Sequence, residues 1–246
     1  SGNDYIDLDT SGRESWVGRY GEIRNSADAG AGNNTVMGSG DNDSITAGSG
    51  NDLIQLYSGN DSVNAGDGNN TIISSDGVED RVTAGTGDDY IRLGNADRNG
   101  ADNVINAGDG HNTVISGNGH DIITTGSGND WVNAGTGADK VNLGAGNDLF
   151  VIDKAYVSDG LADVVNGEQG YDAIVFDGAG ISLDLSQGRF GNTAFGSFER
   201  IDITGSGDNT LMLNVNDVLQ VTDQNRLINV NFTYIIKTQE KCSMHC

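Results

Sequence analysis

Acidic and amide residues recur along the middle of the chain at a nearly constant spacing of nine residues. Only a one-residue insertion near Gly77 and a five-residue insertion around residues 95–100 interrupt that spacing. Carboxylate and amide oxygens suit Ca²⁺, which accepts six to eight oxygen ligands in a flexible geometry, whereas Mg²⁺ requires a small octahedron. The series therefore predicts several calcium ions. The candidate ligands are Asn34, Asp43, Asp52, Asp61, Asn70, Asp80, Asp89, Asn103, Asn112, Asp121, Asp130, Asp139 and Asp148.

Each candidate ligand lies in a nine-residue motif, which Ala47–Gln55 and Ala134–Asn142 illustrate. Glycine favours positions 2 and 4, Asp or Asn occupies position 6, and an aliphatic residue occupies position 8. A short strand around position 8 directs that side chain inward and its two neighbours outward, and the glycines permit a tight turn. This pattern is typical of calcium-binding parallel β-helices. The position-8 residues are Val36, Ile45, Ile54, Val63, Ile72, Val82, Ile91, Ile105, Val114, Ile123, Val132, Val141 and Phe150.

Two nonapeptides are expected to form one coil, with a strand and a turn on each side. The predicted fold is all-β: a parallel β-roll, or β-helix-like solenoid, with a β-rich cap at its C-terminal end. Residues eighteen apart then lie above one another at the strand spacing of about 4.8 Å. The position-6 residues form two columns. Column one is Asn34, Asp52, Asn70, Asp89, Asn112, Asp130 and Asp148, and column two is Asp43, Asp61, Asp80, Asn103, Asp121 and Asp139.

The two columns differ in charge. Column one alternates Asn with Asp up to Asp130, because the unit of duplication is four nonapeptides, as the near-copies Ala29–Met37, Ala65–Ile73 and Ala107–Ile115 indicate. Column two has several adjacent Asp pairs. Ligand charge helps to set calcium affinity, so column two is expected to bind calcium more tightly. The alternative is that backbone oxygens dominate the binding and Asn replaces Asp freely.

Composition narrows the possible functions. The 246 residues include 36 acidic and 13 basic side chains, for a formal net charge of −23. Such a charge disfavours nucleic acid as a partner and opposes compaction unless cations neutralise it. No stretch reaches the roughly 20 apolar residues of a membrane-spanning helix. The only cysteines, Cys242 and Cys246, lie at the end of the chain, so no disulfide framework is expected.

These repeats resemble the RTX, or hemolysin-type, calcium-binding repeat family, over roughly Gly30 to Phe176. The resemblance implies a β-roll with calcium in the turns, held by the position-6 residues and by backbone oxygens. It also implies type I secretion of an unfolded chain that folds in the calcium-rich exterior. Asp41 and Ser58 interrupt the glycine pattern, and Asn replaces Asp at four positions. Those turns are expected to bind weakly or not at all.

The remainder of the chain divides around the repeats. We expect a partial repeat and an insertion in residues 1–28, the calcium-binding roll in 29–176 and a β-rich cap and tail in 177–246. Alternating segments such as Ile181–Leu185 and Phe198–Gly205 predict half-buried strands. This stretch resembles the segment after the RTX repeats of large bacterial surface adhesins. Because Ser1 stands in mid-motif, the chain is expected to be part of a longer polypeptide.

The expected function is binding and structural, at the bacterial surface or in the extracellular space. The H-E-x-x-H and G-x-S-x-G motifs are absent, so we predict no enzyme activity within this chain. One hypothesis is a structural or adhesive module of an RTX exoprotein. The other is the accessory calcium-binding module of a secreted protease, lipase or alginate epimerase.

Outward-facing residues offer further candidate contacts. A predicted ladder of Thr and Asn either stiffens one face of the roll or recognises ice or a surface carbohydrate. Trp131 and Tyr90 are expected to point outward, where they either stack on sugars or pack against the Trp16–Tyr20 segment. His111 and His120 at position 5 are expected to face solvent with their rings. The ladder is Thr46, Asn64, Thr83, Asn106, Thr124 and Asn142.

Overall fold

The computed structural model describes residues 2–8, 24–77, 79–94, 100–158, 163–185, 195–212 and 229–231. Within these residues the chain is built from short strands and one five-residue helix, α1 (Lys154–Ser158). The strands are β1 (Tyr5–Asp7), β2 (Arg24–Asp28), β3 (Thr35–Met37), β4 (Asn42–Thr46), β5 (Leu53–Gly59), β6 (Ser62–Asn64), β7 (Thr71–Gly77), β8 (Arg81–Thr83), β9 (Tyr90–Arg92), β10 (Val104–Asn106), β11 (Thr113–Ile115), β12 (Ile122–Thr124), β13 (Trp131–Asn133), β14 (Lys140–Asn142), β15 (Ala145–Gly146), β16 (Leu149–Ile152), β17 (Val164–Asn166), β18 (Gln169–Gly170), β19 (Ala173–Phe176), β20 (Ser182–Asp184), β21 (Phe195–Gly196), β22 (Arg200–Asp202), β23 (Thr210–Met212) and β24 (Asn229–Asn231).

Successive strands alternate between two long parallel sheets. The first sheet has the order β1-β3-β5-β7-β9-β11-β13-β16-β19-β22-β24, and the second has the order β2-β4-β6-β8-β10-β12-β14-β17-β21. Two small parallel sheets, β15-β18 and β20-β23, lie beside them. Each coil therefore contributes one strand to each long sheet. The predicted parallel β-roll is confirmed.

The register follows the repeat. Val36 pairs with Ile54, and Ile54 pairs with Ile72, so strands eighteen residues apart are neighbours. Ile72 pairs with Ile91 and Ile91 with Val114, across spacings that contain the two insertions. The inserted residues therefore leave the strand register intact. Parallel pairing also continues beyond residue 176, where β19 pairs with β22.

The core consists of two rows of side chains between the sheets. All the position-8 residues predicted to point inward are at most 4 % exposed. The residue that opens each turn, at position 1, is also buried and forms a second row that the aliphatic pattern did not predict. It is small in most coils, as at Ala47 and Ala65, and larger at Leu56 and Leu143. Because the residues that open the turns are mostly small, the core is narrow where the turns are tight.

Glycine is required where coils stack most closely. Gly66 has a φ of 85°, and a Cβ added to it would overlap the carbonyl oxygen of Gly48 in the preceding coil. A side chain there would meet both a strained backbone conformation and a steric clash. The glycines of the motif thus bring backbone carbonyl groups of successive turns together.

Larger apolar side chains fill the C-terminal end of the roll. The Phe150 ring centroid lies 5.6 Å from that of Tyr156, which belongs to α1, and 6.1 Å from that of Phe195. Phe195 also contacts Phe198 edge to face at 6.3 Å. The segments Ile181–Leu185 and Phe198–Gly205, predicted as strands beyond the repeats, do contain β20 and β22. In the described part of the chain, no helix is long and apolar enough to span a membrane.

Replacing Ile91 with Asp tests the inward register. Ile91 is fully buried between Ile72 and Val114, and burying an unpaired carboxylate costs at least several kcal/mol. We expect Ile91→Asp to abolish the far-UV circular dichroism of the folded roll at saturating calcium. Tyr90→Asp is the matched control, because Tyr90 is 37 % exposed on the outer face. A normal spectrum for Ile91→Asp would contradict the assigned register.

Candidate metal sites in the turns

The position-6 side chains are buried and link each coil to the next. Every one of them is at most 3 % exposed. In column one, the backbone N–H of Asn34 donates to Oδ1 of Asp52 at 2.7 Å, and the N–H of Asp52 donates to Oδ1 of Asn70 at 3.0 Å. The N–H of Asn70 then donates to Oδ1 of Asp89 at 2.8 Å. One side-chain oxygen per turn is thus used to hold the preceding coil.

Column two is built in the same way. The N–H of Asp43 donates to Oδ1 of Asp61 at 2.8 Å, and the N–H of Asp61 donates to Oδ1 of Asp80 at 3.0 Å. The series continues through Asn103 and Asp121 to Asp139. The structure therefore brings the predicted residues together as two separate columns, one beside each sheet.

Both columns extend beyond the residues predicted from the spacing. The N–H of Asp139 donates to Oδ1 of Asp163 at 2.7 Å, and that of Asp148 donates to Oδ1 of Asp172 at 2.9 Å. The N–H of Asp172 donates to Oε2 of Glu199 at 2.7 Å. The signal was an acidic residue two positions before a buried apolar residue, as in Asp172–Ile174. Column one therefore ends in consecutive acidic residues. The prediction that column two binds calcium more tightly than column one thus concerns only the turns before Asp130.

The second carboxylate oxygen, Oδ2, is buried without a hydrogen-bond partner at many of these aspartates. A buried polar atom left unpaired is costly, and an unpaired charge is more so. The carboxylates concerned are therefore stabilised either by a positively charged partner near Oδ2 or by protonation. They are Asp52, Asp61, Asp80, Asp89, Asp121, Asp130, Asp148 and Asp172.

Asp43 is different because protein groups satisfy both of its oxygens. Its Oδ2 accepts the N–H of Ser39 at 2.6 Å, and its Oδ1 accepts the Ser39 hydroxyl at 3.1 Å and the amide of Asn25 at 3.0 Å. This turn contains Asp41, where the glycine pattern fails. The assignment of Asp43 as a calcium ligand stays a prediction.

The histidine rings take part in a hydrogen-bonded ladder at position 5. His111 Nδ1 accepts the N–H of Asn129 at 2.7 Å, and His120 Nδ1 accepts the N–H of Ala138 at 2.8 Å. Both residues are exposed. In the described residues, no group of three or more His, Cys, Asp or Glu side chains converges on one point. A bound ion would therefore depend on one or two carboxylates and on backbone oxygens.

Comparison with protein families agrees with this geometry. The family model for the RTX calcium-binding nonapeptide repeat (4 copies) matches residues 28–62, 48–78, 79–97, 99–123 and 115–150. The matched region contains every candidate ligand predicted from the spacing. The chain belongs to this RTX repeat family. A search of the curated proteins and a search of the solved structures found no match.

RTX repeats bind Ca²⁺ in multiple sites, so this roll is a calcium-binding module. The residues present fit that ion. Each unpartnered Oδ2 is a hard anionic ligand beside a glycine turn whose backbone carbonyl groups are packed against the next coil. Ca²⁺ accepts carboxylate and carbonyl oxygens at 2.3–2.6 Å. When bound, it would supply the positive charge that neutralises the carboxylate columns.

Burial alters the acidity of the RTX carboxylates. Desolvation raises the pKa of Asp61, Asp121 and Asp172 to about 7, and that of Asp89 and Asp148 to about 6. It also raises the pKa of Asp52, Asp80 and Asp130. Neighbouring carboxylates add to the effect, as Asp80 and Asp43 do at Asp61. Without a cation, folding therefore favours the protonated acids.

The calcium-free roll is therefore expected to be more stable at about pH 5.5 than at about pH 8. The stability contributed by Asp61 and Asp121 is fully present below the ordinary pKa of 3.8 and is lost as the pH rises to about 7. Far-UV circular dichroism in a chelator across this range measures the effect as the fraction of folded chain. Saturating calcium is the control, because the ion removes the penalty at high pH. A calcium-free stability that is independent of pH would contradict the assignment.

Proposed function

We propose that this chain is a secreted structural module whose roll folds when calcium binds outside the cell. The supporting observation is the set of buried Oδ2 atoms that no protein donor reaches. At low calcium, these carboxylates and the net charge of −23 oppose the compact state. Calcium pairs with them and shifts the equilibrium toward the folded roll.

The expected ligands are the buried aspartates together with carbonyl oxygens of the glycine turns. They include Asp52, Asp61, Asp80, Asp89, Asp121, Asp130, Asp139 and Asp148 from the original prediction. We add Asp172, whose unpaired Oδ2 is fully buried. Each site adds RT ln(1 + [Ca²⁺]/Kd), which is roughly 2.7 kcal/mol at 100 times Kd. Several sites together favour folding strongly.

The proposed units are the calcium-binding roll in residues 29–176, a cap in 177–246 and an entry segment in 1–28. Continued parallel pairing at β21 and β22 supports a cap that covers the open end of the roll, where sheet edges and core would otherwise be exposed. The aromatic contacts of Phe195 and Phe198 support the same role. The Trp16–Tyr20 segment and the tail from Phe232 to Cys246 lie outside the described residues.

An adhesive role is supported by the outer face of the second sheet. The Thr and Asn ladder predicted for that face is in register, with Thr46 beside Asn64 and Asn106 beside Thr124. Hydroxyl and amide groups at strand spacing can bind the hydroxyl groups of a surface carbohydrate. Adhesion of the calcium-loaded chain to polysaccharide-coated surfaces tests this role, with Asn106→Lys as the variant expected to weaken it. Equal adhesion of the two would argue against this face.

A calcium titration tests the folding proposal directly. Chelator-treated protein at about pH 8, where the carboxylates are charged, should show a disordered far-UV spectrum that converts cooperatively to β structure as calcium is added. Magnesium at the same concentrations should have little effect, because it retains its waters and a strict octahedron. A β-rich spectrum that is indifferent to calcium would refute calcium-driven folding.

Replacing a single carboxylate distinguishes specific binding from a general charge effect. Asp61→Ala should raise the calcium concentration at the folding midpoint, because it removes a buried ligand and the acceptor for the N–H of Asp43. Asp67→Ala is the matched control, because Asp67 is exposed and carries the same charge. Equal midpoints for the two variants would show that net charge, and not the buried column, controls folding.

A further inference from the structure

Four turns carry asparagine at position 6, and the orientation of its amide is fixed. The Oδ1 atom of Asn70 accepts the N–H of Asp52 at 3.0 Å, so the nitrogen must face the turn. There Nδ2 donates to the carbonyl oxygens of Gly66 at 3.1 Å, Gly68 at 3.0 Å and Ala84 at 3.2 Å. In the reverse orientation, Nδ2 would face the N–H of Asp52, which is also a donor. Oδ1 would then face three carbonyl oxygens, which are also acceptors.

Asn112 makes the same three contacts, and Asn34 and Asn103 each make two of them. Nδ2 of Asn112 donates to Gly108, Gly110 and Thr125 at 3.0–3.2 Å. Asn34 reaches Gly30 and Ala47, and Asn103 reaches Ala101 and Ser116, at 3.1–3.2 Å. In motif terms, the acceptors are the carbonyl groups of positions 2 and 4 of the same turn and of position 1 in the next coil.

The aspartate turns place an oxygen where these turns place a nitrogen. The Oδ1 atom of Asp89 accepts the N–H of Asn70 at 2.8 Å, as an asparagine would. By the repeat, the carbonyl groups that correspond to the acceptors of Asn70 are those of Gly85, Gly87 and Ala107. The Oδ2 of Asp89 accepts no hydrogen bond. A cation is therefore needed to bind this carboxylate oxygen and the three carbonyl oxygens together.

We propose that the amide nitrogens of Asn34, Asn70, Asn103 and Asn112 replace a calcium ion. The inference rests on the proposed calcium-bound state of the aspartate turns. In these four turns, an uncharged donor already satisfies the carbonyl oxygens, and the side chain contributes no negative charge. The asparagines are then not calcium ligands, in contrast to the expectation from the spacing.

The arrangement separates the metal sites in the first part of column one. Asp52 lies between the turns of Asn34 and Asn70, and Asp89 lies between those of Asn70 and Asn112. Successive ions would then be two coils apart, or roughly 9.6 Å instead of 4.8 Å. The intervening turns of column one are closed by hydrogen bonds alone, so the calcium content is lower than the number of repeats.

Substitutions at Asn70 distinguish an ion substitute from a ligand. Equilibrium dialysis with metal analysis gives the calcium bound per chain, and thermal unfolding at saturating calcium gives the stability. Asn70→Asp should add one bound ion. Asn70→Ala should leave the calcium count of the full chain unchanged and lower its melting temperature, because three carbonyl groups lose their donor. Loss of an ion in Asn70→Ala, or no gain in Asn70→Asp, would overturn the inference.

The reciprocal pair at Asp89 provides the matched test. Asp89→Asn and Asp89→Ala should each lose one ion, but only asparagine restores a donor to the carbonyl groups. Asp89→Asn should therefore reach half-folding at a lower calcium concentration than the parent chain, and Asp89→Ala at a higher one. Equal midpoints for the two variants would overturn the inference while leaving calcium-driven folding intact. A parent chain that binds no calcium would instead overturn the proposed function.

Discussion

The roll depends on one side chain per turn, that of position 6, whose two polar atoms each need a different partner. Its Oδ1 atom accepts a backbone N–H from the preceding coil, and this bond fixes the stacking distance and the register. Its second polar atom faces the carbonyl groups of the glycine turns. Because the side chain is at most 3 % exposed, bulk solvent does not reach that second atom. At four turns a side-chain amide donates to these carbonyl groups, and at Asp43 protein donors satisfy both oxygens. The aspartates with an unpartnered Oδ2 suit a cation.

The apolar core and these columns cannot be separated energetically. Each nonapeptide buries one Val, Ile or Phe at position 8 and one mostly small residue at position 1. The core closes only if both turns close, and closing them brings carboxylates of adjacent coils to about one strand spacing. At an effective dielectric constant of about 20, two unit charges at about 4.8 Å repel by about 3.5 kcal/mol. Burial of the core therefore requires neutralisation of the columns.

Much of this architecture could be predicted from the sequence because each position of the repeat has one structural role. The nine-residue spacing predicted the coils, the two sheets, the inward row and both columns. It did not predict Asp163 and Asp172, since they follow their neighbours by 24 residues. The roles of Ser39 and of the Asn amides were also missed. Residue type gives the number of donors and acceptors, but only the folded geometry shows which groups face them.

The hydrogen bonds described between coils each connect one coil to its immediate neighbour, and those of the position-6 N–H groups all run toward the following coil. No contact within the repeats depends on how many coils there are. The roll can therefore gain or lose whole coils without altering the bonding pattern of the coils that remain. Glu199 is the last member of column one among the described residues, and its Oε2 accepts the N–H of Asp172. Evolution by duplication is then constrained to whole-coil steps, and a two-coil step copies an Asp turn and an Asn turn together.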